Sequence, residues 1–134
     1  MKMPLEVSQA YLLAKKTRLR AHAPYSHFKV GAAVVTGKGA IFTGCNVENA
    51  SFGATICAER TAILKAVSEG QKNIRHLLVV TGAKKLTPPC GECLQVMAEF
   101  LSPKSTIWLG DLKSVKKSFK LKDLLSYPFG AEYF

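Results

Sequence analysis

Three of the four cysteines stand beside predicted helix starts. Cys57 lies in "TICAERTAI" at 55–63, and Cys90 and Cys93 lie in "TPPCGECLQ" at 87–95. The C-x-x-C pair occupies the first turn of its helix, so its two sulfurs can converge on one point. The free N–H groups of a helix start favour a thiolate. The three cysteines therefore predict a metal site, and zinc is the natural ion because thiolates select soft metals.

The number of ligands separates two kinds of zinc site. A structural site uses four protein ligands, whereas a catalytic site uses three and leaves one place for water, whose pKa the metal lowers toward ~7. Cys45 could complete an all-cysteine structural site, although it lies in strand-like sequence without ligand-pair spacing. His27, in a predicted loop, and His76, in a predicted strand, are further candidates for the fourth ligand.

Glu59 favours the catalytic alternative. It follows Cys57 by two residues, in the first turn of the same predicted helix. A carboxylate there can reach a water molecule at the metal, remove a proton and deliver that proton to a substrate. The competing interpretation is a solvated glutamate that stabilises its helix through the macrodipole.

Length and composition predict one globular domain that spans residues 1–134. The chain is 48% hydrophobic and 21% charged, which is too apolar for disorder. We find no stretch of the ~20 apolar residues that cross a bilayer and no signal-peptide pattern, so we expect a cytoplasmic protein without membrane contacts. Reduced cysteines in that compartment favour metal binding over disulfides.

The charge is strongly positive, with 19 Lys and Arg against nine Asp and Glu, giving +10. This balance favours anionic partners but does not specify a fold. Basic residues cluster at 15–20 and 113–122, and both segments are interpreted as solvated faces. Nucleic-acid binding is not expected, because the sequence has no recognised module or ladder of aromatic and basic residues.

Apolar spacing and turn signals predict alternating helices and strands, with helices packed on a mixed sheet. Gly31 lies inside the first strand, where it indicates a bulge or a close approach of another element. The predicted helices cover 5–20, 57–70, 91–101 and "KLKDLL", and the predicted strands cover 28–36, 40–47, 74–82 and "STIWLG".

Several spaced motifs together resemble one enzyme family. Zinc nucleobase deaminases carry H-x-E followed by P-C-x-x-C. This chain has "CAER" at 57–60, with cysteine in place of that histidine, "PCGEC" at 89–93 and "NVENASFG" at 46–53. From about Tyr11 to Leu125 it resembles the small homotetrameric cytidine deaminases of pyrimidine salvage.

The resemblance implies a three-layer α/β/α sandwich with a mixed five-stranded sheet. It also implies hydrolysis of cytidine or deoxycytidine to uridine or deoxyuridine with release of ammonia. Cys57, Cys90 and Cys93 would hold one Zn2+ per subunit, and Glu59 would carry protons between water, N3 and the departing amine.

The resemblance further implies substrate contacts and active sites that are shared between subunits of a homotetramer. A plainer interpretation of each residue is a polar loop, a core aromatic or tail packing. The implied contacts are Asn46 and Glu48 to the ribose, Phe28 against the base, the Ala58 N–H to the base carbonyl, and Ala50, Phe52 and Phe129 to a neighbouring subunit's pocket.

Arg60 would offset negative charge at the metal. Three thiolates and one Zn2+ sum to a net negative charge, which weakens the ion as a Lewis acid. In the family an arginine at this place hydrogen-bonds ligand sulfurs, although an exposed helix arginine is the alternative. Relatives commonly carry a second arginine directly after the last cysteine, where this chain has Leu94.

Three other functions remain open from the sequence. The substrate could be a modified cytosine nucleoside of the blasticidin S type, whose enzymes share the zinc motif, or cytosine in a polynucleotide, which the charge of +10 would favour. The third alternative is a non-enzymatic module that zinc stabilises.

Overall fold

The structure is a computed structural model, and it describes residues 2–134. Four α-helices and five β-strands follow one another along these residues. They are α1 (Leu5–Arg18), β1 (Val30–Thr36), β2 (Ile41–Cys45), α2 (Ala58–Ser68), β3 (Ile74–Thr81), α3 (Gly91–Phe100), β4 (Leu101–Gly110), β5 (Val115–Lys120) and α4 (Leu121–Leu124).

The strands form one mixed sheet in the order β2-β1-β3-β4-β5. The β3–β4 pair is parallel, whereas β1–β2, β1–β3 and β4–β5 are antiparallel. The β1–β2 hairpin turns at Gly39, whose φ of +84° suits glycine. The near-continuous apolar run of β3 predicted a central strand, and this prediction is confirmed.

Helices cover both faces of the sheet, which confirms the predicted three-layer α/β/α architecture. Alternate residues of one strand point to opposite faces, so each central strand supplies two separate cores. Towards α1 point Ala33, Val35, Leu78, Val80 and Trp108, and towards α2, α3 and α4 point Ala32, Val34, Leu77, Val79, Ile107 and Leu109.

Two glycines allow helices to approach the sheet closely. A Cβ on Gly31 of β1 would lie 2.1 Å from the carbonyl oxygen of Ala14 in α1, which confirms the predicted close approach. A Cβ on Gly44 of β2 would lie 2.6 Å from the carbonyl oxygen of Ala58. Gly44 therefore lets the first turn of α2 rest directly on β2.

The lysine-rich stretch at 113–122 exposes its lysines, as a solvated face does, but it also contains a strand that the sequence patterns did not predict. It contains the edge strand β5, which pairs with β4 through Ile107↔Phe119 and neighbouring residues. Three lysines lie in this strand, and the Lys120 Nζ donates to Thr106 Oγ1 at 3.0 Å. Lysines on an edge strand discourage pairing with another chain, which gives these charges a structural purpose.

Other boundaries shifted by a few residues. Helix α1 ends at Arg18 rather than residue 20, and β4 begins at Leu101, four residues before the predicted "STIWLG". Within residues 2–134, no helix combines the length and the apolar character that crossing a membrane requires.

Candidate active site

The starts of two helices bring the cysteines together. Cys57 is the N-cap residue of α2, Cys90 is the N-cap residue of α3, and Cys93 lies in the first turn of α3. Pro89 directly precedes Cys90 and keeps that backbone extended before the helix begins. Both helix dipoles therefore present their positive ends to the same group of sulfurs.

The sulfur spacing fits a tetrahedral zinc site. The Sγ atoms of Cys57, Cys90 and Cys93 all lie within 4.8 Å of one another. Cys57 Sγ is 4.0 Å from Cys90 Sγ, and Cys90 Sγ is 3.6 Å from Cys93 Sγ. Because tetrahedral zinc–sulfur bonds are about 2.3 Å long, two sulfurs on one zinc lie about 3.8 Å apart. The donor set thus has the chemistry and the spacing that zinc requires.

The thiols differ in acidity. A hydrogen bond from the Cys93 thiol, together with Arg60, lowers the pKa of Cys57 to about 5. The same hydrogen bond raises the pKa of Cys93, and burial adds to that rise. The Cys57 thiol is therefore more acidic than the Cys93 thiol.

Glu59 lies in the first turn of α2 and is 5% exposed. Burial raises its pKa to about 7, and the Cys57 thiolate adds to the rise. Because its side chain is buried, Glu59 is not the solvated glutamate of the competing interpretation. Burying a carboxylate costs free energy, which favours a functional role for this residue.

Arg60 contacts the cluster directly. Its Nη2 donates to Cys57 Sγ and to the Thr55 carbonyl oxygen, each at 3.4 Å, and its Nη1 lies 3.3 Å from Glu92 Oε2. The Cys57 hydrogen bond raises the pKa of Arg60, so the guanidinium keeps its charge. Leu94, which is partly buried, packs against the core.

A pocket of about 260 Å³ opens beside the sulfurs. Sequence reasoning did not single out several of its lining residues, such as Ser26, Thr55 and Thr87, because polar residues in loops carry no distinctive spacing. The lining residues are Ser26, Phe28, Val30, Asn46, Glu48, Thr55, Cys57, Ala58, Glu59, Val79, Thr87, Pro88 and Cys90.

The predicted ribose pair lines this pocket and also organises the loop before β1. Asn46 is 8% exposed, accepts from the Val30 N–H at 2.9 Å and donates to the Phe28 carbonyl oxygen at 2.8 Å. Glu48 accepts from the Tyr25 N–H at 3.0 Å and from the N–H and hydroxyl of Ser26. Both side chains thus fix the position of Phe28.

The remaining predicted contacts divide between the pocket and the surface. Phe28 and the buried Ala58 line the pocket. Phe52 is 74% exposed, packs edge-on against Tyr25 and borders an adjoining cavity, while Ala50 is exposed outside both cavities.

Phe129 lies in the C-terminal tail, away from both cavities. Its carbonyl oxygen accepts from Gln95 Nε2 at 2.9 Å, and its ring stacks on Tyr133 with centroids 5.6 Å apart. These contacts match the tail packing that was the plainer interpretation of this residue.

The candidate fourth ligands lie elsewhere. Within residues 2–134, Cys57, Cys90 and Cys93 form the only group of three or more potential metal-ligand atoms that lie close together. Cys45, His27 and His76 lie outside this group. His76 Nδ1 accepts instead from Trp108 Nε1 at 3.1 Å on the α1 face of the sheet.

Comparison with known proteins agrees with a zinc site at this position. A family model described as the cytidine and deoxycytidylate deaminase zinc-binding region matches residues 6–109. The chain belongs to this family. The matched range contains all three cysteines and Glu59, and it agrees with the prediction of zinc as the cofactor.

Similar proteins and structures cover nearly the whole chain. A cytidine deaminase of Halalkalibacterium halodurans is 44% identical, covering 89% of this chain and 90% of the relative. One from Sporosarcina psychrophila is 40% identical, covering 96% and 94%. The crystal structure of cytidine deaminase from Burkholderia pseudomallei has a TM-score of 0.87 at 40% identity and covers 95% of this chain and 100% of that chain. The predicted fold class is thereby confirmed.

Proposed function

We propose that this protein catalyses the hydrolytic deamination of cytidine and deoxycytidine to uridine and deoxyuridine. The observation that carries the proposal is the cluster of three cysteine sulfurs beside a pocket of about 260 Å³, which Cys57, Cys90 and the buried Glu59 line. Three sulfurs leave a tetrahedral ion one place open, as catalytic zinc sites do. Nearly full-length similarity to cytidine deaminases supports the choice of substrate.

Cys57, Cys90 and Cys93 would hold the zinc, with Arg60 offsetting part of the thiolate charge through its hydrogen bond to Cys57. When bound, zinc supplies a Lewis acid that lowers the pKa of water toward ~7. The Glu59 carboxylate would take one proton from the attacking water and give it to N3 of the pyrimidine while the water oxygen bonds to C4. It would then take the remaining proton from the new C4 hydroxyl and pass it to the amine as the C4–N bond breaks, so that C4 keeps the oxygen and ammonia leaves.

The pocket lining would orient the nucleoside. Phe28 would lie against the base, and the Ala58 N–H at the start of α2 would donate to the base carbonyl. Asn46 and Glu48 suit the ribose hydroxyls, because an amide and a carboxylate can bind a diol. Since both already hold the loop that carries Phe28, ribose binding and base stacking would be coupled.

The exposed aromatic residues are consistent with a homotetramer that shares its active sites. Phe52 is 74% exposed and Phe129 is 58% exposed, so each leaves apolar surface that a neighbouring subunit could cover. With Ala50, they would enter the pocket of a neighbouring subunit. Light scattering should give four times the chain mass of 14.6 kDa; a monomer with full activity would contradict this arrangement.

The test is zinc-dependent loss of cytidine absorbance on conversion to uridine. We expect Glu59→Ala to keep its zinc but to lose turnover by roughly 10⁴-fold, because it removes the proton carrier. Glu69→Ala, on an exposed glutamate just after the same helix, is the matched control and should keep full activity. A zinc-loaded, folded wild-type protein that leaves cytidine unchanged would refute the proposal.

A further inference from the structure

The loop between β3 and α3 delivers Cys90 to the cluster. Among the described residues, none of residues 82–89 makes a backbone-to-backbone hydrogen bond. The loop nevertheless ends at a position where a sulfur must be placed to within a few tenths of an ångström for a metal. Other contacts must therefore set its conformation.

Two threonine hydroxyls provide those contacts. Thr81, the last residue of β3, is 2% exposed. Its Oγ1 lies 3.0 Å from Thr87 Oγ1 and accepts from the Ala83 N–H at 3.3 Å. The Thr81–Thr87 hydrogen bond, called here the threonine clasp, ties the far end of the loop back to the central strand.

A short and stiff segment of the chain connects the threonine clasp to the ligand residue Cys90. Thr87, Pro88 and Cys90 all line the pocket beside the sulfurs. Pro88 and Pro89 separate Thr87 from Cys90, and their rings fix φ and remove two backbone donors. A displacement of Thr87 would therefore be carried along a stiff segment to Cys90.

We infer that the threonine clasp positions Cys90 and thereby sets the affinity of the site for zinc. The inference rests on the zinc site of the proposed function. Thr81 and Thr87 are not among the clustered ligands and would act on the metal through Cys90, so they are positioning residues. Residues that orient metal ligands typically change metal affinity roughly 10-fold to 100-fold when altered.

The test compares zinc affinities by competition with a chelator. Thr87→Val keeps the shape of the side chain but removes the hydroxyl, and we expect roughly 10-fold weaker zinc binding. Thr87→Ala, which removes the hydroxyl without adding a methyl group, should give the same direction of change. Thr87→Ser retains the hydroxyl and should restore affinity close to that of the wild type.

Thr36 offers a matched control at a different corner of the sheet. It is 1% exposed at the end of β1, donates to Gln71 Oε1 at 2.6 Å and accepts from the Ala40 N–H at 3.1 Å. Thr36→Val therefore removes a hydrogen-bonded hydroxyl that is more deeply buried than that of the partly buried Thr87. We expect it to lower the stability of the zinc-free protein at least as much as Thr87→Val does, while zinc affinity stays at the wild-type value.

The outcomes separate this inference from the proposed function. Equal zinc affinities in wild type, Thr87→Val and Thr87→Ala would overturn the clasp but leave the zinc site intact. A loss in Thr36→Val as large as that in Thr87→Val would also overturn it, since the effect would then be general destabilisation. A wild-type protein without zinc affinity would overturn the proposed function and the clasp together.

Discussion

The two faces of the central sheet differ in the residues that they bury. On the α1 face, Val7, Ala10 and Ala14 pack on an apolar surface and are fully buried. On the opposite face, the same strands support helices whose first turns carry the buried Glu59 and the buried Cys93. The α1 face is therefore a conventional apolar core. The opposite face places metal ligands and a carboxylate near the helix starts, where apolar side chains would otherwise pack.

This difference indicates how the fold separates stability from chemistry. Burying Glu59 raises its pKa to about 7, which means that the charged form is disfavoured in the folded protein. On the α1 face, the polar rings of His76 and Trp108 are hydrogen-bonded to each other, and the Tyr11 hydroxyl donates to the Asp111 carbonyl oxygen. We expect changes on the α1 face to alter stability and changes on the site face to alter activity.

Removing the metal should give the largest effect. Chelation should abolish cytidine turnover, because the three cysteines no longer hold the Lewis acid. Far-ultraviolet circular dichroism should show that the sheet persists, since the α1 core contains none of the ligands. Tm should nevertheless fall, because zinc at 1,000 times its Kd stabilises the folded state by about 4 kcal/mol. Loss of the whole fold on chelation would contradict the separation of the two faces.

Two neighbouring valines of β3 test the same comparison within one strand. Val79 is 2% exposed and lines the pocket, whereas Val80 is fully buried towards α1. Replacing either by alanine removes two buried methyl groups and should lower the free energy of unfolding by about 2 kcal/mol. Urea denaturation measures that loss.

Steady-state kinetics should then distinguish the pair. We expect Val79→Ala to raise KM for cytidine, because it enlarges the pocket, while Val80→Ala leaves KM at the wild-type value. An equal change in KM for both variants would show that the two cores are not independent.

The smallest effect concerns His76 and the dependence of stability on pH. Burial lowers its pKa below the ordinary 6.5, with Arg75 and Lys120 acting in the same direction and Glu6 opposing them. Between the folded and unfolded pKa values the unfolded chain binds more protons, so the free energy of unfolding falls as the pH drops below 6.5. Below the folded pKa this contribution becomes constant.

His76→Gln keeps an acceptor for Trp108 Nε1 but cannot titrate. Between pH 7.5 and pH 5, the Tm of the variant should therefore decrease less than the Tm of the wild type. The difference should correspond to the titration of one histidine. Activity should be unchanged, since His76 lies on the α1 face. Identical pH profiles of the two proteins would show that His76 does not contribute.

Periodicity was sufficient to predict the helices and the central strands. Strand β3 is an unbroken apolar run because both of its faces are buried, and helix α1 repeats its apolar residues with the spacing of one covered face. The edge strand β5 was missed because its lysines resemble a solvated segment. Its pairing with β4 is a tertiary contact that no local pattern records.

The metal cluster was likewise visible in the sequence, because C-x-x-C spacing and a helix start constrain where the sulfurs lie. The supporting contacts were not visible. Glu48 holds the N–H groups of residues 25 and 26, and Thr81 reaches Thr87 across a loop without regular structure. Such hydrogen bonds depend on the folded path of the chain, which the spacing of polar residues does not encode.

X-ray absorption spectroscopy of the zinc-loaded protein tests the central claim most directly, because it counts the atoms bonded to the metal. We predict three sulfur neighbours at about 2.3 Å and one lighter oxygen neighbour at about 2.0 Å. Four sulfur neighbours would mean that Cys45 or another chain's cysteine closes the site. Such a closed site would leave no place for water and would contradict the proposed hydrolysis.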